Sequence, residues 1–131
     1  MKFLYIAIYE YVRCTMKSFI KIMKALSDPN RVKILKLLQY KSDMCVCELK
    51  SLLHIAQPTV SKHLKILEEA GLVEYRKDGL WVNYSLVNGS SNPYAAGMLR
   101  ELGTWLEDQP ELTEILKKAP FASREQICRK I

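Results

Sequence analysis

The sequence predicts a mainly α-helical fold with one small β-hairpin, and three observations predict it. Apolar residues recur at helical spacing over most of the chain. The period changes in a single stretch, Leu72 to Leu86, and Asp78-Gly79 splits that stretch with a strong signal for a two-residue hairpin turn. Finally, 131 residues suffice for one compact domain and are too few for two. No apolar run approaches a membrane span, so no membrane partner is expected.

The elements follow in order. Phe19, Ile20, Met23 and Leu26 share helical spacing and predict a first helix from about Lys17 to Leu26. Asp28 can cap the next helix and Pro29 suits its first position; Val32, Ile34, Leu35, Leu37 and Leu38 carry it to about Tyr40. Lys33, Lys36 and Lys41 are read as a solvated face. A third helix starts near Cys45 with Leu49, Leu52 and Leu53 inward, and Glu48 stands where a capping box places its carboxylate. His54 is read as the left-handed end of that helix. A fourth helix from about Gln57 to Ala70 turns Val60, Leu64 and Leu67 inward, and Gly71 ends it. After the hairpin come a polar loop from Asn88, a helix from Pro93 to about Glu107, and a shorter helical segment past Pro110.

Helix, turn, helix, then hairpin is the layout of a winged helix-turn-helix, whose second helix enters the major groove. With the apolar stripe inward, Gln57, Thr59, Ser61, Lys62 and Lys65 face out. Gln57 can read adenine, Thr59 and Ser61 can bond bases or phosphates, and the lysines neutralise phosphate. His63 lies between the two faces, able to touch a phosphate or to sit partly buried in a hydrogen bond. Arg76 and Lys77 at the hairpin add backbone or minor-groove contacts. A formal charge of +6 agrees with a polyanionic partner, double-stranded DNA. No paired acid and base, phosphate-binding glycine loop or oriented nucleophile is present, so no enzyme is expected.

The four cysteines are Cys14, Cys45, Cys47 and Cys128. Cys45 and Cys47 are too close in sequence for a good mutual disulfide, which predicts free thiols in a reducing, cytoplasmic setting. Thiolates are soft ligands and favour As(III), Sb(III), Cd, Pb, Zn or Cu(I). A helix N-terminus is expected to lower their pKa. In an ideal helix side chains two apart diverge by roughly 200°, so chelation by both is expected to unwind the first turn.

Ala25-Leu26-Ser27-Asp28-Pro29-Asn30-Arg31, Cys45-Val46-Cys47-Glu48-Leu49, Gln57-Pro58-Thr59-Val60-Ser61-Lys62-His63-Leu64 and Ala70-Gly71-Leu72-Val73 together resemble the arsenical-resistance (ArsR/SmtB) repressors. The resemblance covers roughly residues 19–86. It implies a homodimer paired through its first and last long helices, and a repressor that leaves its operator when a thiol-seeking metal or metalloid binds. Cys45 and Cys47 are then the effector ligands, with a third thiolate from Cys14 or Cys128. Two positions depart from the family pattern: Ala56 replaces the usual Ser or Thr cap, and Lys50 stands where arsenic sensors often carry a third cysteine. The implied organisation is an N-terminal extension over residues 1–16, either an extra helix or sequence upstream of a native start at Met16. A winged domain with dimerisation helices follows over 17–110, then a helical tail over 111–131. Two further readings stay open: a thiol-based redox switch on DNA binding, and a winged-helix protein-interaction module that binds no DNA.

Overall fold

The computed structural model describes residues 15–88 and 92–122. Cys14, Cys128 and the reading of residues 1–14 as an extra helix lie outside the described residues. Helix α1 spans Met16–Leu26 and is capped by Thr15, whose Oγ1 accepts the Ser18 N–H at 3.2 Å. Helix α2 spans Pro29–Tyr40; the Asp28 carboxylate accepts the N–H groups of Asn30 and Arg31 at 2.8 and 3.2 Å. A two-residue strand β1, Met44–Cys45, leads into α3, Val46–Leu53, which ends at left-handed His54 (φ 56°, ψ 41°). Helix α4 spans Gln57–Glu69, and Gly71 at φ 83° turns the chain as a left-handed glycine should. Strands β2, Val73–Asp78, and β3, Trp81–Leu86, form the hairpin. Helices α5, Pro93–Leu102, and α6, Pro110–Lys118, follow, with a single 3₁₀ turn over Ala119–Phe121.

The core gathers around α2, where Ile34, Leu35, Leu37 and Leu38 are all buried, so almost the whole circumference of this helix is covered. Leu49 and Leu52 of α3 meet the stripe Val60, Leu64 and Leu67 of α4 in the same cluster, which fixes the helix pair as one unit. Helix α6 packs on α2, with Ile115 and Leu116 against the core cluster, and is tied there by Lys33 to Glu111 at 3.4 Å.

Four expectations are corrected. First, the sheet has three antiparallel strands in the order β1-β3-β2, not two. The extra strand is too short to show any alternation and forms because Met44 and Cys45 pair with Tyr84 and Asn83. Second, the turn residues are Gly79-Leu80, because Asp78 pairs with Trp81. Gly79 at φ 61° takes the first turn position, where a type II′ turn demands glycine. Third, the helix from Pro93 ends at Leu102 rather than near Glu107. The Lys36 ammonium binds the carbonyls of Leu102 (2.9 Å) and Trp105 (3.0 Å) and the Glu107 carboxylate (3.1 Å), completing that C-terminus, and Leu106 reverses the chain at φ 64°. Fourth, Lys36 is therefore buried, not solvated, while Lys41 pairs with Glu48. The first helix forms as expected, turning Ile22 and Ala25 into the core with Met23 and Leu26 packed against it. Phe19 rests edge-on against Tyr94 of α5, with ring centroids 5.3 Å apart, and both it and Ile20 stay exposed.

Candidate nucleic-acid interface and thiol pair

Helix α4 presents Gln57, Thr59, Ser61, Lys62 and Lys65 to solvent on the side opposite its buried stripe. Its start is uncapped: Ala56 makes no side-chain bond, and Pro58, lacking an N–H, leaves one orphan donor fewer to satisfy. His63 sits half-buried at the edge of this face, its Nδ1 3.2 Å from Arg31 Nη1. Because guanidinium only donates, His63 Nδ1 accepts and the ring proton belongs on Nε2. Arg31 also donates to the carbonyls of Ala25 (2.7 Å) and Lys24 (3.2 Å). It thus staples the end of α1 to the start of α2 and to α4, a role that its position in sequence did not announce.

In the hairpin, Arg76 and Lys77 lie on β2 rather than at the tip and are exposed. Arg76 has a partner: Asp43 Oδ2 lies 3.4 Å from its Nη2. Asp43 itself adopts φ 60°, a left-handed conformation that Asp tolerates better than most residues. Sequence reasoning missed Asp43; the only available signal was a Ser-Asp pair just before Met44.

Cys45 and Cys47 are free thiols, the first buried and the second half-buried. Cys45 lies outside the helix, extended at φ −88° and ψ 166°, and serves as the N-cap of α3. The divergence expected for two residues within one helix therefore does not apply. Glu48 closes the expected capping box by accepting the Cys45 N–H on Oε1 at 3.1 Å, while the Cys45 sulfur faces the Glu48 backbone N–H. The other Glu48 oxygen meets Lys41 Nζ at 2.6 Å, so this fully buried carboxylate is both hydrogen-bonded and paired. Burial pushes the Cys45 thiol above its usual pKa; the Glu48 backbone N–H opposes this and the Glu48 carboxylate reinforces it. The lowering expected from a helix N-terminus is thus overridden, because desolvation of a thiolate outweighs one favourable N–H. Among the described residues no group of three or more His, Cys, Asp or Glu side chains is placed to hold a metal ion. Two soft thiols on one short segment nevertheless suit a thiophilic centre that takes its remaining ligand elsewhere.

A helix pair with a polar outer face, set beside a three-stranded wing, has the architecture of the winged-helix transcriptional regulators. The pattern described as "Bacterial regulatory protein, arsR family" matches residues 28–75. An uncharacterized HTH-type transcriptional regulator of Methanocaldococcus jannaschii is 48% identical over 68 residues, covering 52% of this chain and 76% of that protein. The chain belongs to the arsR family. A cadmium resistance transcriptional regulatory protein homolog of Staphylococcus aureus is 42% identical over 66 residues, 50% of this chain and 54% of that one. The arsenical resistance operon repressor of Escherichia coli is 43% identical over 67 residues, 51% of this chain and 57% of that one. The matched segment thus spans just over half the length of both metal-resistance relatives. Among solved structures, HlyU from Vibrio cholerae aligns with a TM-score of 0.53 at 29% identity, covering 65% of this chain and 91% of that one. No helix among the described residues is long and apolar enough to cross a membrane.

Proposed function

We propose that this chain is a cytoplasmic, dimeric repressor that leaves its operator DNA when As(III), Sb(III) or a related soft metal binds Cys45 and Cys47. One observation carries the reading: both thiols stand at the start of α3, the helix whose Leu49 and Leu52 share a buried cluster with the inner stripe of α4. Any ligand that reshapes this start acts on the reading helix through packed side chains rather than solvent. The names of the arsenical and cadmium resistance relatives support a thiophilic effector.

Residues on α4 read the operator. Gln57 is placed to make paired hydrogen bonds to an adenine edge, Thr59 and Ser61 to reach bases or phosphates, and Lys62 and Lys65 to neutralise phosphate. His63, with Nε2–H available, adds a phosphate contact, and Arg76 and Lys77 hold the flanking backbone. The exposed apolar side chains Met16, Phe19 and Ile20 of α1, beside Tyr94 of α5, form the homodimer face. A two-fold dimer puts two reading helices on successive half-sites.

Arsenite binding is an exchange, not a redox step. Two cysteine thiols and As(OH)₃ give two As–S bonds and two waters, leaving one hydroxyl that a third thiol from Cys14 or Cys128 can displace as a further water. Sb(III), Cd, Pb, Zn and Cu(I) are the other effectors that a thiol pair accommodates. The oxidant-switch reading is weaker because burial disfavours the Cys45 thiolate, the form that peroxide attacks.

The test is fluorescence anisotropy on an operator duplex, titrated with As(III) and repeated with Cys45→Ser and Cys47→Ser. The reading requires that As(III) weaken binding by wild type and leave both variants bound. Unchanged operator affinity at thiol-saturating As(III) would refute it. Absence of any salt-dependent duplex affinity would instead support the protein-interaction module.

A further inference from the structure

The route from the thiols to the DNA need not run through α4 alone. Cys45 of β1 pairs with Asn83 of β3, and Asn83 pairs on its other side with Arg76 of β2. The thiol residue, a buried asparagine and the wing arginine therefore form one row across the sheet. At about 4.8 Å per strand, the Cys45 and Arg76 backbones lie only about 10 Å apart. The adjacent row is Met44, Tyr84 and Tyr75, in which the tyrosine rings meet tilted at 46° with centroids 5.9 Å apart. One residue before Met44, Asp43 reaches across to the Arg76 guanidinium at 3.4 Å. A run of three residues, Asp43 to Cys45, thus carries the thiol, is laddered to the wing and grips the wing's arginine.

We propose that Asp43 is a positioning residue through which the thiol site controls Arg76. The inference rests on the effector reading given above and names the wing as its output. Drawing the Cys45 sulfur toward a centre shared with Cys47 pulls the Asp43–Cys45 run away from β3. Asp43 then releases Arg76, the wing loses its third strand, and a backbone contact to DNA goes with it. Side-chain pairing and backbone ladder act on the same arginine, so the ligand biases two arrangements of the wing.

The measurement is the coupling factor, the ratio of operator dissociation constants with and without As(III), for wild type, Asp43→Asn, Arg76→Ala and the double variant. Asparagine tolerates the left-handed backbone at this position, so D43N removes the charge and keeps the turn. The coupling factor is expected to shrink about two- to fivefold in D43N, the range for an exposed ion pair. R76A should shrink it as much, and the double variant should add nothing further, because both changes cut one link. Lys77→Ala should weaken DNA binding equally with and without As(III), leaving the factor unchanged. Hydrogen exchange should show the amides of residues 44–45 and 83–84 opening on As(III) loading. As(III) binding is followed separately by thiol titration in every variant. If wild type fails to bind As(III), the effector reading falls and takes this inference with it. If As(III) binds and releases DNA while D43N keeps the full coupling factor, the effector reading stands and the wing route alone is overturned.

Discussion

Replacing Lys41 by methionine probes the buried carboxylate beneath the thiol pair. Glu48 has no exposed surface, while the Lys41 side chain is 39% exposed and holds the carboxylate at 2.6 Å. Removing the partner of a fully buried charge costs about 3–5 kcal/mol. Here the lysine end is open to water, which can rehydrate one carboxylate oxygen, so the expected loss for K41M is about 1–3 kcal/mol. Glu48→Gln has a different effect: the amide oxygen still accepts the Cys45 N–H, and the freed ammonium turns to solvent, for a loss of about 0.5–1.5 kcal/mol. The double variant should cost about as much as E48Q alone, since no buried charge is left to strand. Urea unfolding of the four proteins, at one fixed protein concentration, reads these values. If K41M lies within about 0.5 kcal/mol of wild type, or the double variant equals the sum of the singles, Lys41 does not compensate Glu48 and the reasoning fails.

Three further outcomes are expected. Iodoacetamide followed by mass spectrometry should label half-buried Cys47 well before Cys45, which is 3% exposed; equal rates would contradict the buried thiol. Lys62→Ala should weaken all duplexes alike and make the salt dependence shallower by about one, whereas Gln57→Ala should cost about 1–3 kcal/mol at a single base position. A uniform loss in Q57A would remove its reading role. Burial, then the charges of Glu68 and Tyr75, hold the Tyr84 phenol above its usual 10.0. The unfolded chain therefore ionises first, binds fewer protons than the native one, and stability falls as pH rises past about 10. Tyr84→Phe should flatten that limb in urea unfolding across alkaline pH, and an unchanged limb would contradict the assignment.

Much was determined locally, before any tertiary contact. The caps at Asp28 and Gly71, the left-handed His54, the reciprocal pairing of Cys45 with Glu48 and the inward stripe Val60, Leu64 and Leu67 depend on residue type and helical period alone. The polar face of α4 follows from the same period, as its complement. Tertiary structure decided what depends on residues distant in the chain. Lys36 is read as solvated until the end of α5, some 66 residues away, supplies carbonyls for its ammonium and halts that helix. Helical spacing alone does not say which apolar residues of α1 face inward; packing on α2 and α5 selects Ile22 and Ala25. Strand β1 exists only because β3 is there to receive two residues, and that pairing carries the thiol to the wing. The Cys45 pKa turns the same way: a helix start lowers it, but the burial that raises it is a property of the packed molecule. Period and caps are short-range preferences encoded in neighbouring residues, whereas partner, burial and desolvation arise only when distant segments meet.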